Sequence, residues 1–261
     1  MAELKFAVLG GGSKGNATYV EAGSTRLLID AGFSGRELGS RLAALGVDPA
    51  QLTAILVSHE HGDHIRGAGV LSRRYRLPLL LNRATLAAAG QELGRPAAIQ
   101  EFTTGSTLVC GNLQIHPFAL SHDAVEPVGF LLRAGGRMLG HCTDLGVVSR
   151  LVRHRLSGCQ ALVLECNHDP QMLRNGPYSP ALQQRVRSRQ GHLANHETAT
   201  LLSELLHAEL RQVVLSHLST TNNTPELALK AVKQAFNGRP AARLPELTVA
   251  CQQQGCRPLS I

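Results

Sequence analysis

The run ILVSHEHGDH, Ile55 to His64, gathers three histidines, two acids and a glycine behind an apolar strand. Imidazole and carboxylate together suit zinc, manganese or iron. His59 and His61 alternate, so at an extended strand end they point the same way. Gly62 allows a sharp turn, after which Asp63 and His64 face a neighbouring position. One loop thus offers ligands to two adjacent metals.

Four ligands cannot complete two sites. FALSHDA places His122 just past a strand, MLGHCTDLG places Asp144 past another, and VVLSHLS places His217 past a third. Polar groups of ligand type at strand ends lie where sheet edges converge. As a set they complete two metal sites, with Asp144 able to bridge. Two metals held about 3.5–4 Å apart can clamp a phosphate and generate hydroxide at neutral pH.

A different motif competes for attention. FAVLGGGSKGN carries Gly10, Gly12 and Gly15 in G-x-G-x-x-G spacing, and Asp30 follows twenty residues past Gly10. A dinucleotide fingerprint requires a helix directly after the loop to hold the pyrophosphate. Here ATYVEAGSTRLLIDAG reads as two short strands around a turn, so that reading fails. The glycines instead permit close backbone approach, and the loop's N–H groups could form an anion nest. Ser13 and Asn16 are candidates to meet a substrate phosphate there.

The 261 residues, 43% hydrophobic, suffice for one large globular domain, and residues 1–261 read as such. No apolar run reaches membrane-spanning length, and MAELKFAVL lacks a secretory pattern, so a cytoplasmic protein is expected. Six cysteines are scattered without zinc-knuckle spacing and read as reduced thiols. Net charge is +7, and most of the 26 basic residues are arginine. An arginine excess suits an anionic partner, since guanidinium forks onto phosphate. Arg73, Arg74, Arg174, Arg185 and Arg187 are the candidate nucleic-acid contacts. With no tryptophan and 3% aromatics, a base-stacking platform is disfavoured.

The elements that position these groups follow from periodicity. Strands are expected at 6–9, 18–20, 26–29, 54–58, 79–81, 113–119, 129–133, 137–140, 161–165, 212–216 and 247–250. Helices are expected at 35–45, 66–75, 83–90, 145–155, 180–189, 195–208 and 225–236. His168 to Pro180 reads as a long irregular connection of a functional kind. Strand and helix do not alternate regularly, which disfavours a doubly wound sheet. Two mixed sheets face to face, with helices outside, fit better.

The order SHEHGDH, SHD, TDLG, LSHLS resembles the metallo-β-lactamase superfamily over nearly the whole chain. GGGSKGNATYVE, LLIDAG, VSHEHGDHIRGAGVLSRRY, LSHDAVEPVGF, LECNHDPQML, GHLANHETA and LSHLSTTNN look like its YycJ/WalJ branch. That resemblance implies a four-layer αββα sandwich with a two-metal site on one edge, and 5′→3′ exonuclease action on DNA. No inserted nucleic-acid clamp domain fits in the chain.

By the same resemblance, His59, His61 and His122 would bind one metal and Asp63, His64 and His217 the other, zinc or manganese. Asp144 would bridge them, and Asp63 could also position the hydroxide. Asp30 would steady the loop without ligating. ALVLECNHD and QGHLANHETA resemble the glutamate and histidine motifs of the ribonuclease Z-like branch. There the histidine, His192, lies over the scissile phosphate and the glutamate, Glu165, orients it. A histidine so placed can protonate a leaving alkoxide or donate to a phosphoryl oxygen. His168 is a further phosphate candidate. Asp123, His141 and Cys142 read as supporting neighbours, and His116, His154, His196 and His207 as structural or surface residues. The competing readings are a cyclic phosphodiesterase or thioesterase, and a non-catalytic metal-binding scaffold.

Overall fold

A computed structural model describes residues 3–241 and 244–261. The first half of the chain lays down β1 (Leu4–Gly10), β2 (Ala17–Ala22), β3 (Thr25–Ile29), β4 (Ala54–Leu56), β5 (Pro78–Asn82) and β6 (Ala98–Phe102). The second lays down β7 (Leu108–Cys110), β8 (Leu113–Ala119), β9 (Val128–Ala134), β10 (Arg137–Cys142), β11 (Ala161–Glu165), β12 (Gln212–Ser216) and β13 (Glu246–Val249). The last strand, β14 (Leu259–Ser260), returns to pair with β1. The sheets run β14-β1-β2-β3-β4-β5-β6 and β13-β12-β11-β10-β9-β8-β7.

Three apolar layers hold them. Phe6, Leu27, Leu56, Ile115, Phe130 and Val163 share the core between the sheets. Leu28, Ile55 and Leu79 face outward from the first sheet, onto α1 (Gly35–Ala44), α3 (Ala68–Tyr75) and α4 (Arg83–Leu93). Leu162, Leu164 and Val213 face outward from the second, onto α5 (Arg150–Leu156), α8 (Asn195–Leu205) and α9 (Pro225–Ala235). The architecture is the expected αββα sandwich. Its central strands are covered on both faces, and β4 and β11 are buried throughout. Continuous apolar runs therefore replace strict alternation there.

Strand direction explains where the polar groups meet. β3, β4 and β5 are parallel, and β1 runs with them because β2 lies antiparallel to both β1 and β3. β10, β11 and β12 are parallel, and β8 runs with β10 because both oppose β9. The glycine loop, Asp30, His59, His122, Asp144, Glu165 and His217 all lie at the C-terminal ends of these strands. That edge is the usual ligand-binding edge of parallel sheets.

Several boundaries differ from the sequence reading. β6, β7 and β14 are additional strands. β6 is exposed at four of its five positions, so it lacks an apolar signature. The helix expected at 145–155 starts only at Arg150, where Ser149 caps it by accepting from Val152 N–H. The stretch from Asp144 to Ser149 stays open as a site loop. The chain after His61 is a short helical turn, α2 (Gly62–Ile65). His168–Pro180 is not irregular throughout. Asp169 accepts from the backbone of Gln171 and Met172 and, with Pro170 next, starts α6 (Pro170–Asn175). α7 (Pro180–Val186) follows, capped by Ser179.

Candidate metal centre

The imidazoles are oriented from behind. His64 donates from Nδ1 to Asp30 Oδ2 at 2.8 Å, and His122 from Nδ1 to the Gly191 carbonyl at 3.2 Å. His217 donates from Nδ1 to Glu165 Oε1 at 2.8 Å, and His59 from Nδ1 to Ser58 Oγ at 2.9 Å. Each bond fixes the ring and leaves Nε2 turned inward. His61 turns its Nδ1 inward instead, 3.2 Å from His59 Nε2 and 3.3 Å from His122 Nε2. Asp30 is fully engaged behind the loop, accepting also from the amide and hydroxyl of Ser58.

Inward atoms within 4.8 Å of one another group His59, His61 and His122, and Asp63, His64 and His217, while a third set, His59, His64 and Asp144, straddles these two. Asp144 lies between them, Oδ2 3.3 Å from His64 Nε2 and Oδ1 3.9 Å from His122 Nε2. Asp144 Oδ2 and His217 Nε2 are buried without a hydrogen-bond partner. Orphaned buried atoms of metal-ligand type, converging with the other donors, fit divalent cations. A further cluster of Asp144, Glu165, His192 and His217 is held by hydrogen bonds, since both histidines donate to Glu165 Oε1.

Backbone strain concentrates at the same place. Asp30, Asp144 and His217 adopt φ of 58°, 60° and 56°. A non-glycine residue held there costs roughly 1–3 kcal/mol and persists where the surroundings over-determine it. Gly11 lies against the same loop: a Cβ there would come 2.2 Å from Ser216 Oγ. Gly11, between two glycines of the motif, thus lets the loop lie against His217, whose backbone N is 3.0 Å from that Cβ position. The anion-nest reading does not hold for the N–H groups of Gly12, Lys14 and Gly15. They are engaged by Asn16 Oδ1, Gln252 Oε1 and the Gly12 carbonyl.

Electrostatics draw positive charge inward. Burial opposes ionisation of Asp144, but His217 and His64 outweigh it and hold the carboxyl well below the usual range. Burial would depress His64 and His217. The carboxylates around them prevail, raising His64 well above its ordinary value and His217 to about 10. Burial instead keeps His59 and His122 low, hence neutral and ready to ligate. His59 and His122 of the first group can therefore ligate directly, whereas His64 and His217 of the second must release protons to take a metal. On stepwise acidification from neutral pH, the metal of the second group should leave first. Metal analysis after dialysis at each step should show two losses; simultaneous release of both would contradict this order.

The remaining named residues divide. Ser13 and His192 line a cavity of about 270 Å³ together with His61, Asp63, Asp144 and His217. Asn16 is buried and turned away from it, with Nδ2 3.0 Å from Asp63 Oδ2 and from His64 Nε2, so it supports ligands and does not face a substrate phosphate. His168 is 2% exposed and not a wall of the cavity, and burial lowers it to about 4. Glu165 is 0% exposed and likewise off the wall, so it acts through His192 and His217. Of the arginines, Arg185 reaches the cavity and pairs with Asp123. Arg73 does not: it donates to the Leu93 carbonyl and ties α3 to α4. Arg74 lies over the Tyr75 ring, and Arg174 and Arg187 are exposed on the α6–α7 segment. The sequence reading missed Tyr178, Leu182, Asn167, Ser219 and Asn222 as cavity walls. For the last two, LSHLSTTNN was the available signal.

Residues 25–218 match the family model of the beta-lactamase superfamily domain. The chain belongs to this family. It has the metallo-β-lactamase fold and is a hydrolase, and membership implies divalent metal at the His/Asp cluster. It is 37% identical over 235 residues to exodeoxyribonuclease YycJ of Bacillus anthracis, covering 89% of each chain. It is 38% identical over 229 residues to exodeoxyribonuclease WalJ of Streptococcus pneumoniae, covering 86% of this chain and 85% of that one. Among solved structures, the metallo-β-lactamase-fold protein YhfI of Bacillus subtilis superposes with TM-score 0.77 at 20% identity, over 100% of both chains. Among the described residues, no helix is long and apolar enough to cross a membrane.

Proposed function

We propose that this chain is a single-domain, two-metal phosphodiesterase acting as a 5′→3′ DNA exonuclease in the cytoplasm. The carrying observation is the placement of His192 beside the two ligand groups. Its Nδ1 donates to Glu165 Oε1 at 2.7 Å, and its ring centroid lies 5.1 Å from those of His122 and His217. Burial would lower its pKa, but Glu165 outweighs this and raises it. With Nδ1 bound to Glu165, the Nε2 edge is the one left to carry a proton to the cavity between the two groups.

Two divalent cations, zinc or manganese, held by His59, His61, His122 and by Asp63, His64, His217 would supply Lewis acidity and a nucleophile from water. The chain's own residues do the rest. Asp144 holds the two groups in register. Asp63, at the cavity wall, positions the attacking hydroxide. His192 donates to the leaving oxygen, and Glu165 keeps its ring in place. Tyr178, Leu182 and Val186 also line the cavity. A cavity this small takes one small ligand unit, which supports a chain end over an internal site of a duplex. The names of the YycJ and WalJ relatives support DNA as substrate. Six free cysteines support a reducing compartment.

The test is digestion of end-labelled single- and double-stranded DNA and RNA with zinc or manganese added. Release of mononucleotides from the 5′ end of DNA is expected; cleavage of thioesters or cyclic nucleotides alone would overturn the proposal. Full activity should coincide with about two metals per chain by elemental analysis.

Arg185 should contact substrate phosphate, exchanging its Asp123 partner for it. Arg185→Gln should weaken single-strand binding and reduce the slope of log affinity against log salt by about 0.7, the value of one phosphate contact. Arg73→Gln should leave that slope unchanged, because its guanidinium holds Leu93. A slope change in Arg73→Gln, with none in Arg185→Gln, would reverse the assignment.

A further inference from the structure

A second cationic cavity lies well away from the metals. On the outer face of the second sheet, Gln114 pairs with Arg133 and His116 with Leu131 across β8 and β9, so the four share one face. Arg155 of α5 and Thr107 complete an open surface pocket of about 180 Å³, in which Thr107, Gln114 and Arg133 are exposed and His116 and Arg155 are half-buried. His116 lies six residues before His122, which at strand rise is roughly 20 Å from the metal centre.

The lining is unbalanced. Two guanidiniums, an imidazole, an amide and a hydroxyl converge, and no carboxylate lines the cavity. Thr107 Oγ1 lies 3.0 Å from His116 Nδ1, while His116 Nε2 and Arg155 Nε are buried without a hydrogen-bond partner. Buried donors are normally satisfied, and like charges normally avoid one another. Leaving both conditions unmet calls for an acceptor of negative charge. We propose that this cavity is a second oxyanion site that takes a phosphate group. Arg133 and Arg155 fork onto its oxygens, and His116 donates from Nε2 while Nδ1 accepts from the Thr107 hydroxyl. Burial first, then Arg155 and Arg133, lower the His116 pKa, so both guanidiniums act on the ring. The inference does not depend on the nuclease reading.

The test follows the His116 ring resonances by NMR in the zinc-loaded protein while inorganic phosphate is added. These report locally, so phosphate at the metals does not mimic the result. A saturable shift of His116 is expected. In Arg133→Gln/Arg155→Gln the apparent affinity should fall at least about 100-fold, about tenfold for each guanidinium lost. Arg133→Lys/Arg155→Lys, which keeps the charge, should retain part of it. The rest of the spectrum reports that each variant is folded. A second arm uses a single-stranded phosphorothioate oligonucleotide without terminal phosphate. If it shifts His116 at far lower concentration than free phosphate, the occupant is a nucleic-acid backbone; if only free phosphate acts, it is a small phosphorylated molecule. Both support an oxyanion site. A His116 signal that never moves, or moves equally in wild type and the Gln variant, overturns it.

Discussion

Replacing His192 with alanine is expected to lower turnover on DNA by roughly 10²–10⁴-fold while leaving the metals in place. The ring is held by one bond, Nδ1 to Glu165 Oε1, and supplies none of the inward atoms of the two ligand triads. It is 23% exposed, on the cavity wall, where a leaving oxygen could reach it. The defect should therefore appear in kcat and only slightly in KM, the signature of an interaction made in the transition state. It should shrink with a nitrophenyl phosphodiester, because nitrophenolate leaves without a proton. Asp144→Ala provides the contrast, since loss of the central carboxylate should remove metal together with activity. Normal turnover of His192→Ala on DNA would reduce this residue to a helix-entry histidine before α8.

Why some of this was readable from sequence, and some not, follows from where each signal resides. β11 and β12 were delimited to the residue because both are continuous apolar runs ending in a polar group. The candidate ligands were nameable because histidine and aspartate at several strand ends that converge on one edge suit divalent metal. β6 and β14 form at sheet edges from partly exposed residues, so pairing defines them and composition does not. The arginines looked equivalent in sequence, yet Arg73 packs one helix to another while Arg185 rims the cavity. Gln252 gave no signal at all. It clamps the glycine loop through Lys14 N–H and the Gly15 carbonyl, from more than two hundred residues away. The role of Glu165 was half visible. Its motif pointed to His192, but its bond to His217 depends on the parallel register that pairs Glu165 with Ser216, the residue before His217.

That second bond changes what Glu165→Gln should do. If Glu165 only oriented His192, the amide would give a milder defect than His192→Ala, since the proton donor would remain. In the fold, one buried carboxylate accepts from four donors. His192 Nδ1 and His217 Nδ1 meet Oε1 at 2.7 and 2.8 Å, and the amides of Leu145 and Leu193 meet Oε2 at 3.0 and 3.2 Å. Burial opposes its ionisation, yet His192 and His217 pull the carboxyl down to about 2. Glutamine has one acceptor oxygen and one NH₂. Whichever way it turns, the NH₂ confronts two donors, and an unsatisfied buried donor costs about 1–3 kcal/mol. With the NH₂ toward the histidines, His192 loses the charge that raises its pKa, and His217 loses the partner that aims its Nε2. Loss of such a partner typically costs 10–100-fold in metal affinity or activity. Glu165→Gln should therefore be slower on DNA than His192→Ala at limiting metal, and should lose metal from the second group. Excess metal should restore only the second part, bringing the rate up to about that of His192→Ala and no further. Rates and metal content of the two variants, measured side by side across a metal titration, decide the matter. Full metal content and a defect smaller than that of His192→Ala would show that Glu165 serves His192 alone.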